Sequence, residues 1–165
     1  MNMKLLLLYI SLIITANVYS QSNDYKKMLG EYYDNFPTIT ISEALKHVDK
    51  KDAIFLDIRE KNEFNVSHIK GALQMNPDGS TISKLKGLQK NQLIIVYCSV
   101  GARSQTFGKM LKKEGYTNVF NLYGGFFYWA NMRYPMVDIK GNKTKRIHGY
   151  SPEWGKWVTK GTVVY

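Results

Sequence analysis

From residue 38 onward, the chain alternates between two patterns of hydrophobic positions. Short runs of β-branched and other apolar residues predict strands, and stretches with apolar residues three or four positions apart predict amphipathic helices. The predicted strands cover residues 38–41, 53–58, 93–97 and 118–122. The predicted helices cover residues 43–48 with Ser42 as N-cap, residues 60–65, a segment from Ser104 that ends at Gly115, and residues 126–132.

The run Leu-Ile-Ile-Val-Tyr at residues 93–97 indicates the kind of sheet. Five successive β-favouring residues without a polar interruption are typical of a strand buried on both faces, as in a parallel sheet. Strands that alternate with helices build α/β folds, in which helices cover both faces of such a sheet. In these folds, binding and catalytic sites lie at the carboxyl ends of the strands.

The first 20 residues have the features of a secretory signal peptide, because Lys4 precedes an apolar run at residues 5–16 and an exit segment ends at Ser20. The run is too short to span a hydrocarbon core of roughly 30 Å, which needs about 20 apolar residues. We therefore expect export, a periplasmic location if the source is a Gram-negative bacterium, and no stable membrane insertion after cleavage. A retained membrane anchor is the alternative. Residues 21–37, polar and rich in tyrosine, are predicted to form an N-terminal arm or helix.

The 165-residue chain contains 23 Lys and Arg against 13 Asp and Glu, a formal net charge of +10 that favours anionic partners. Nucleic acid is a poor candidate for that partner, because export is predicted and the sequence has neither zinc-ligand spacing nor an arginine-rich helix. Small anions or anionic surfaces fit better. Residues 138–165 form a basic, aromatic C-terminal extension. Within it, residues 157–159 and 162–165 are predicted to form a β-hairpin around Lys160 and Gly161.

Cys98 is the single cysteine, so the chain cannot form an internal disulfide. It follows the strand at residues 93–97, and a short loop leads from it into a helix N-terminus, where backbone N–H groups converge and the dipole favours negative charge. Arg103 adds a positive charge, and Ser99 and Ser104 are expected to donate hydrogen bonds to the sulfur. This setting stabilises a thiolate and predicts a nucleophile. The alternative is a buried core cysteine.

The spacing between Cys98 and Arg103 separates two cysteine chemistries. Cysteine phosphatases place five residues between these positions, whereas here there are four: Ser99, Val100, Gly101 and Ala102. The loop resembles that of the rhodanese family of sulfurtransferases, which begins with cysteine, commonly has glycine in its fourth position and in many single-domain members ends in Arg-Ser. The residues that match this pattern are Cys98, Gly101, Arg103 and Ser104.

The resemblance extends to further blocks between residues 38 and 137. They are Phe-Leu-Asp-Ile-Arg-Glu at 55–60, Glu-Phe at 63–64, His-Ile-Lys-Gly-Ala at 68–72, and Leu-Tyr-Gly-Gly at 122–125 followed by Trp129. The resemblance implies a five-stranded parallel sheet between helices in a domain at residues 38–137. It also implies a catalytic cysteine that cycles through a persulfide and needs no cofactor. Residues 138–165 lie outside it.

The resemblance also assigns roles to individual residues. Cys98 is the expected nucleophile. The donor is expected to bind to the rest of the loop, Ser99, Val100, Gly101, Ala102, Arg103 and Ser104. Asp57 and Arg59 are expected to form a buried ion pair or hydrogen-bond network beneath the loop rather than to contact the donor. His68 is expected to be structural rather than a catalytic base. No metal site is predicted, because His47 and His148 lack paired ligand spacing.

The expected function is transfer of sulfane sulfur from an anionic donor such as thiosulfate, through a Cys98 persulfide, to a thiol or cyanide. A protein is another possible sulfur acceptor. One alternative is a persulfide carrier or sulfur-sensing binding protein that loads sulfur without rapid turnover. The other is a phosphatase or arsenate reductase of related architecture, which the shorter loop disfavours.

Overall fold

The computed structural model describes residues 22–165. The signal peptide predicted at residues 1–20 lies outside this range and stays a prediction. The N-terminal arm contains helix α1 (Asn23–Tyr32), whose first turn is capped by the Ser22 side chain. Between residues 22 and 165, no helix is long and apolar enough to cross a membrane.

Five strands pair into one parallel sheet, as predicted. They are β1 (Thr38–Ile39), β2 (Ala53–Asp57), β3 (Leu73–Gln74), β4 (Leu93–Tyr97) and β5 (Val119–Leu122). Their order in the sheet is β1-β5-β4-β2-β3, so β4 lies at the centre and pairs on both sides. The edge strand β3 is too short, at two residues, for its hydrophobic pattern to have predicted it.

Helices cover both faces of the sheet. One face packs against α1, α2 (Ile41–Lys50), α3 (Lys61–Val66) and α5 (Gly125–Asn131). The other packs against α4 (Ala102–Lys113) and a 3₁₀ helix (Ile82–Leu85). Successive side chains of a strand point to opposite faces, so Ile95 and Tyr97 join the first layer of the core, whereas Ile94 and Val96 join the second. All four are completely buried.

Two predicted helix starts are wrong by two residues each. Helix α2 is capped by Thr40 rather than Ser42, because Thr40 Oγ1 accepts from the Glu43 N–H while the Glu43 carboxylate accepts from the Thr40 N–H. Helix α4 begins at Ala102 rather than Ser104, because Gly101 adopts a φ of 90° and turns the chain directly into the helix. Ser104 therefore lies in the first turn of α4.

The predicted C-terminal hairpin is also wrong. Strands β6 (Arg146–His148) and β7 (Thr162–Val164) pair in parallel, joined by a connection that contains helix α6 (Pro152–Gly155). Asn131 of α5 explains why residues 157–159 are not a strand. Its Nδ2 donates to the Trp157 carbonyl at 2.8 Å, and its Oδ1 accepts from the N–H groups of Thr159 and Lys160 at 2.7 and 3.2 Å. These backbone groups are therefore engaged by the domain and unavailable to β7.

The extension is anchored to the domain by Ile147, which is completely buried in the core layer formed by α1, α2, α3 and α5. We expect Ile147→Ala to lower the free energy of unfolding by about 2–5 kcal/mol, because it leaves a cavity in a packed core. The matched control is Ile139→Ala, since Ile139 lies in the same extension but is 59% exposed, and its effect should stay within about 0.5 kcal/mol. Equal effects in urea denaturation would contradict this anchoring role.

Candidate active site

The loop after β4 brings Cys98 to the carboxyl end of the central strand. The Cys98 thiol is 1% exposed, and its Sγ accepts a hydrogen bond from the Gly101 N–H at 3.1 Å. Helix α4 begins at the next residue, so the sulfur lies at the N-terminal end of a twelve-residue helix. Both the N–H and the helix dipole favour a negative charge on the sulfur.

Four successive carbonyl groups of this loop are held by other elements of the fold. The partners, each at 2.9 Å, are Phe126 N for Cys98 O, Phe127 N for Ser99 O, Tyr33 Oη for Val100 O and Asn121 Nδ2 for Gly101 O. The donors belong to α5, to the segment after α1 and to β5. All four carbonyls therefore accept from donors outside the loop, and contacts with these three parts of the fold fix the loop conformation.

The Ser104 hydroxyl lies 3.6 Å from Cys98 Sγ and 2.7 Å from Asn121 Oδ1, and it has one proton to donate. The Asn121 amide nitrogen donates to Gly101 O, so its oxygen is free to accept from Ser104. The Ser104 hydroxyl thus has two acceptors, Cys98 Sγ and the closer Asn121 Oδ1. The contact with Cys98 agrees with the expectation that Ser104 donates to the sulfur, and the sequence missed the contact with Asn121.

Ser99, by contrast, differs from its predicted role, because its hydroxyl donates to Glu63 Oε1 at 2.9 Å rather than to the sulfur. Glu63, in α3, is completely buried, and its Oε2 accepts from Arg103 Nη2 at 3.4 Å and from the Glu60 N–H at 3.0 Å. Arg103 also donates to Ser99 Oγ at 3.1 Å. Glu63, Ser99 and Arg103 thus form one network beside the cysteine.

Arg103 remains a cation in this network. Burial alone would lower the pKa of Arg103, but its electrostatic interactions with Cys98 and Glu63 outweigh burial and raise it. Its side chain is 33% exposed, and its guanidinium lies 5.1 Å from the centre of the Tyr150 ring. The predicted positive charge is therefore present at the loop, but a buried carboxylate already faces it.

The predicted ion pair between Asp57 and Arg59 is present and completely buried. Arg59 donates from Nε to Asp57 Oδ1 at 2.9 Å and from Nη2 to Oδ2 at 2.6 Å, and Nη2 also donates to Ser67 O at 2.7 Å. The guanidinium lies 3.9 Å from the centre of the Phe126 ring, and the Phe126 N–H holds Cys98 O. The pair therefore reaches the loop through Phe126, and its predicted supporting role stays a prediction.

The histidines have local partners. His68 stacks on Phe64 with ring centres 3.8 Å apart, and its Nδ1 lies 3.0 Å from Phe64 O. The Nε2 of His148 lies 3.2 Å from Asn62 Nδ2. Across residues 22–165, no group of three or more His, Cys, Asp or Glu side chains is arranged to hold a metal ion.

A cavity of about 250 Å³ opens above the loop and reaches Cys98. Its walls are almost entirely apolar. They come from three parts of the chain, namely Tyr32 of α1, the loop and first turn of α4, and the extension residues Tyr150 and Trp154. The arrangement makes the buried sulfur of Cys98 accessible to a small molecule that enters through this cavity.

The sequence from residue 40 to residue 132 matches the model of the rhodanese-like domain. The chain belongs to the rhodanese family. The predicted resemblance is thereby confirmed, and residues 98–103, the loop on which that resemblance was based, are hereafter called the rhodanese loop.

Relatives within the family have different names. The chain is 33% identical over 93 residues to a tRNA uridine(34) hydroxylase of Aster yellows witches'-broom phytoplasma, covering 53% of this chain but only 30% of that protein. It is 30% identical over 94 residues to the thiosulfate sulfurtransferase GlpE of Pseudoalteromonas translucida, covering 57% of this chain and 89% of that protein. A crystal structure of a rhodanese-related protein from Thermoplasma volcanium has a TM-score of 0.54 at 24% identity, covering 62% of this chain and 98% of that one, and shares the fold.

Sequence reasoning missed several residues that shape the rhodanese loop. Tyr33 is the clearest case, since its hydroxyl both donates to Val100 O and accepts from the Gly124 N–H at 2.8 Å. Burial raises the pKa of Tyr33, so the hydroxyl stays protonated and can donate. The tyrosine-rich composition of residues 21–37 was the available signal. Asn121 carried none, because one asparagine in a strand has no distinctive pattern.

Gly125 packs directly against the rhodanese loop. At a φ of 62°, an added Cβ would lie 2.6 Å from Cys98 O, 2.7 Å from Gly101 N and 2.8 Å from Ser99 O. We expect Gly125→Ala to lower the free energy of unfolding by about 2–4 kcal/mol, from backbone overlap added to an unfavourable φ. Gly141→Ala is the matched control, because Gly141 has a φ of 82° and nothing within 4 Å, and it should cost about 1 kcal/mol. Equal effects in thermal unfolding would contradict this packing.

Proposed function

We propose that this protein is a sulfurtransferase that moves sulfane sulfur through a persulfide on Cys98. The observation that carries the proposal is the buried Cys98 Sγ, 3.1 Å from the Gly101 N–H at the base of a small cavity. Membership of the rhodanese family and the similarity to GlpE proteins support it. An anionic donor such as thiosulfate, and a thiol, cyanide or protein acceptor, are part of the proposal.

The reaction has two displacement steps. In the first, the Cys98 thiolate attacks the outer sulfur of thiosulfate, the S–S bond of the donor breaks, and sulfite leaves with the bonding electrons. In the second, an acceptor thiolate or cyanide attacks the outer sulfur of the persulfide and regenerates the Cys98 thiolate. The Gly101 N–H supports negative charge on Sγ in both steps. The transferred atom is carried by the cysteine itself, so the proposal needs no cofactor.

Cys98→Ser tests the proposal directly. A hydroxyl is almost the same size as a thiol but is far too basic to ionise in this loop, so thiocyanate formation from thiosulfate and cyanide should fall to background. Intact-mass spectrometry of the unsubstituted protein after thiosulfate treatment should show the gain of one sulfur atom. Transfer by the serine variant above background would remove Cys98 from the mechanism. Stoichiometric loading without turnover would instead indicate a persulfide carrier or sulfur sensor.

Arg103 is proposed to attract the anionic donor against the competing charge of Glu63. We expect Arg103→Ala to raise the KM for thiosulfate about 10-fold, corresponding to about 1.4 kcal/mol, with a smaller change in kcat. Glu63→Gln should lower that KM, because a neutral amide no longer compensates the guanidinium; one amide oxygen replaces two accepting carboxylate oxygens, so the unfolding of this variant is measured beside its kinetics. Steady-state kinetics of both variants would contradict the proposed role if KM were unchanged or moved in the same direction.

Export and a periplasmic location in a Gram-negative source remain part of the proposal, supported by the pattern of residues 1–20. Phosphatase or arsenate reductase activity is not favoured. The loop has four residues between Cys98 and Arg103 rather than five, and the chain belongs to the rhodanese family.

A further inference from the structure

The cavity above Cys98 has walls that the rhodanese-family match does not cover. The match spans residues 40–132, whereas Tyr32 precedes it and Tyr150 and Trp154 follow it. These three aromatic residues, hereafter the aromatic mouth, meet at the entrance. The rings of Tyr32 and Trp154 lie 5.5 Å apart, and Tyr150 lies over Arg103.

The aromatic mouth is held in position by the body of the protein. Tyr150 has a left-handed backbone with φ 65°, which is uncommon for a bulky residue, and its N–H donates to His148 Nδ1 at 3.0 Å. The neighbouring Gly149 N–H donates to Val164 O at 2.9 Å, and Ile147 is buried in the domain core. The entrance is therefore formed before a substrate arrives.

The chemistry of this entrance adds recognition of an apolar group to the attraction of an anion. Tyr32 and Tyr150 line the cavity and are about half exposed, so part of their apolar ring surface is accessible from it. Arg103 is the cation that lines the cavity, and its charge already faces the buried Glu63 carboxylate. A partly compensated cation attracts a donor anion less strongly than a free one, whereas an apolar substituent is removed from water by three aromatic walls.

We propose that the aromatic mouth selects organic sulfane-sulfur donors, in which the transferred sulfur is attached to an apolar or aromatic group. This inference rests on the proposed sulfurtransferase function and specifies its substrate class. Apolar cavities of about 150 Å³ hold benzene, so a cavity of about 250 Å³ has room for an aromatic ring and its sulfur group.

The reaction with such a donor balances without a further reagent. For a thiosulfonate anion, R–SO₂–S⁻, the Cys98 thiolate attacks the terminal sulfur and forms the new S–S bond with its own electron pair. The old S–S bond breaks, and its electrons leave with the sulfinate, R–SO₂⁻. The protein retains the persulfide, and only the group R differs between an aromatic and a methyl donor.

The test compares benzenethiosulfonate with methanethiosulfonate. For each donor, the kcat/KM of cyanide-dependent thiocyanate formation is divided by the rate constant of the same donor with a free small thiol. This division corrects for the intrinsic reactivity of the donor, and the ratio of the two corrected values is the corrected preference. We expect the corrected preference for the phenyl donor to be about 10-fold or more, the effect of burying part of one ring. A corrected preference near one would overturn the inference.

Variants then assign the preference to the aromatic mouth. The double variant Tyr150→Ala/Trp154→Ala should reduce the corrected preference to about 2-fold or less. Tyr150→Phe/Trp154→Phe should keep it, because the rings remain. Lys156→Ala changes an exposed residue of the same extension that does not line this cavity, and it should keep the preference too. An undiminished preference in the double alanine variant would overturn the inference.

A second measurement needs neither variants nor turnover. Benzenesulfinate, the product of the phenyl donor, should protect Cys98 of the unsubstituted protein from alkylation at about one-tenth of the concentration that methanesulfinate requires. Equal protection by the two sulfinates would overturn the proposed selectivity of the aromatic mouth, even if the alanine variant failed to fold. Absence of sulfur transfer from every donor would overturn the proposed function instead, while the protection experiment would still decide whether the mouth binds an apolar group.

Discussion

The site depends on one constraint, which is that the buried loop after β4 must satisfy its backbone carbonyl groups with donors from outside the loop. Unpaired carbonyl groups inside a protein are costly, and residues 98–101 have four in succession. Each of them accepts from a donor outside the loop, supplied by α5, Tyr33 or Asn121. With the carbonyls bound outward, the Gly101 N–H turns inward to Cys98 Sγ. The geometry around the Cys98 sulfur is therefore a consequence of how the surrounding elements pack around the loop.

Charge is arranged very differently at the site and over the whole chain. The chain carries a formal net charge of +10, yet beside the cysteine each arginine faces a buried carboxylate. Arg59 is paired with Asp57 and Arg103 with Glu63. Buried charges require such partners, because removing an ion from water costs several kcal/mol. The overall basic charge can steer anions toward the protein. At the loop itself, however, the charge of Arg103 is largely compensated by Glu63, so the loop is not a strong binding site for anions.

The sequence predicted the parallel sheet because its central strand has an uninterrupted apolar pattern, and it located the loop because cysteine, glycine and arginine stand at a distinctive spacing. It placed helix starts less accurately, since Thr40 and Ser42 are both good caps and only the reciprocal contact with Glu43 distinguishes them. The partner of Ser99 and the second partner of Ser104 could not be predicted, because Glu63 and Asn121 reach them from distant positions in the chain. Hydroxyl donors have one proton, and the tertiary structure determines where it goes.

The C-terminal extension shows why a local pattern failed there. Lys160 and Gly161 between two apolar runs have the composition of a tight turn, and in isolation they favour a hairpin. In the folded protein Asn131 takes the backbone groups of the first run, while β6 takes the second run as a parallel partner. The same attachment fixes the segment that carries Tyr150 and Trp154 above the cysteine. A segment outside the family match thus acquires its position from the domain, and it supplies two of the walls around the Cys98 sulfur.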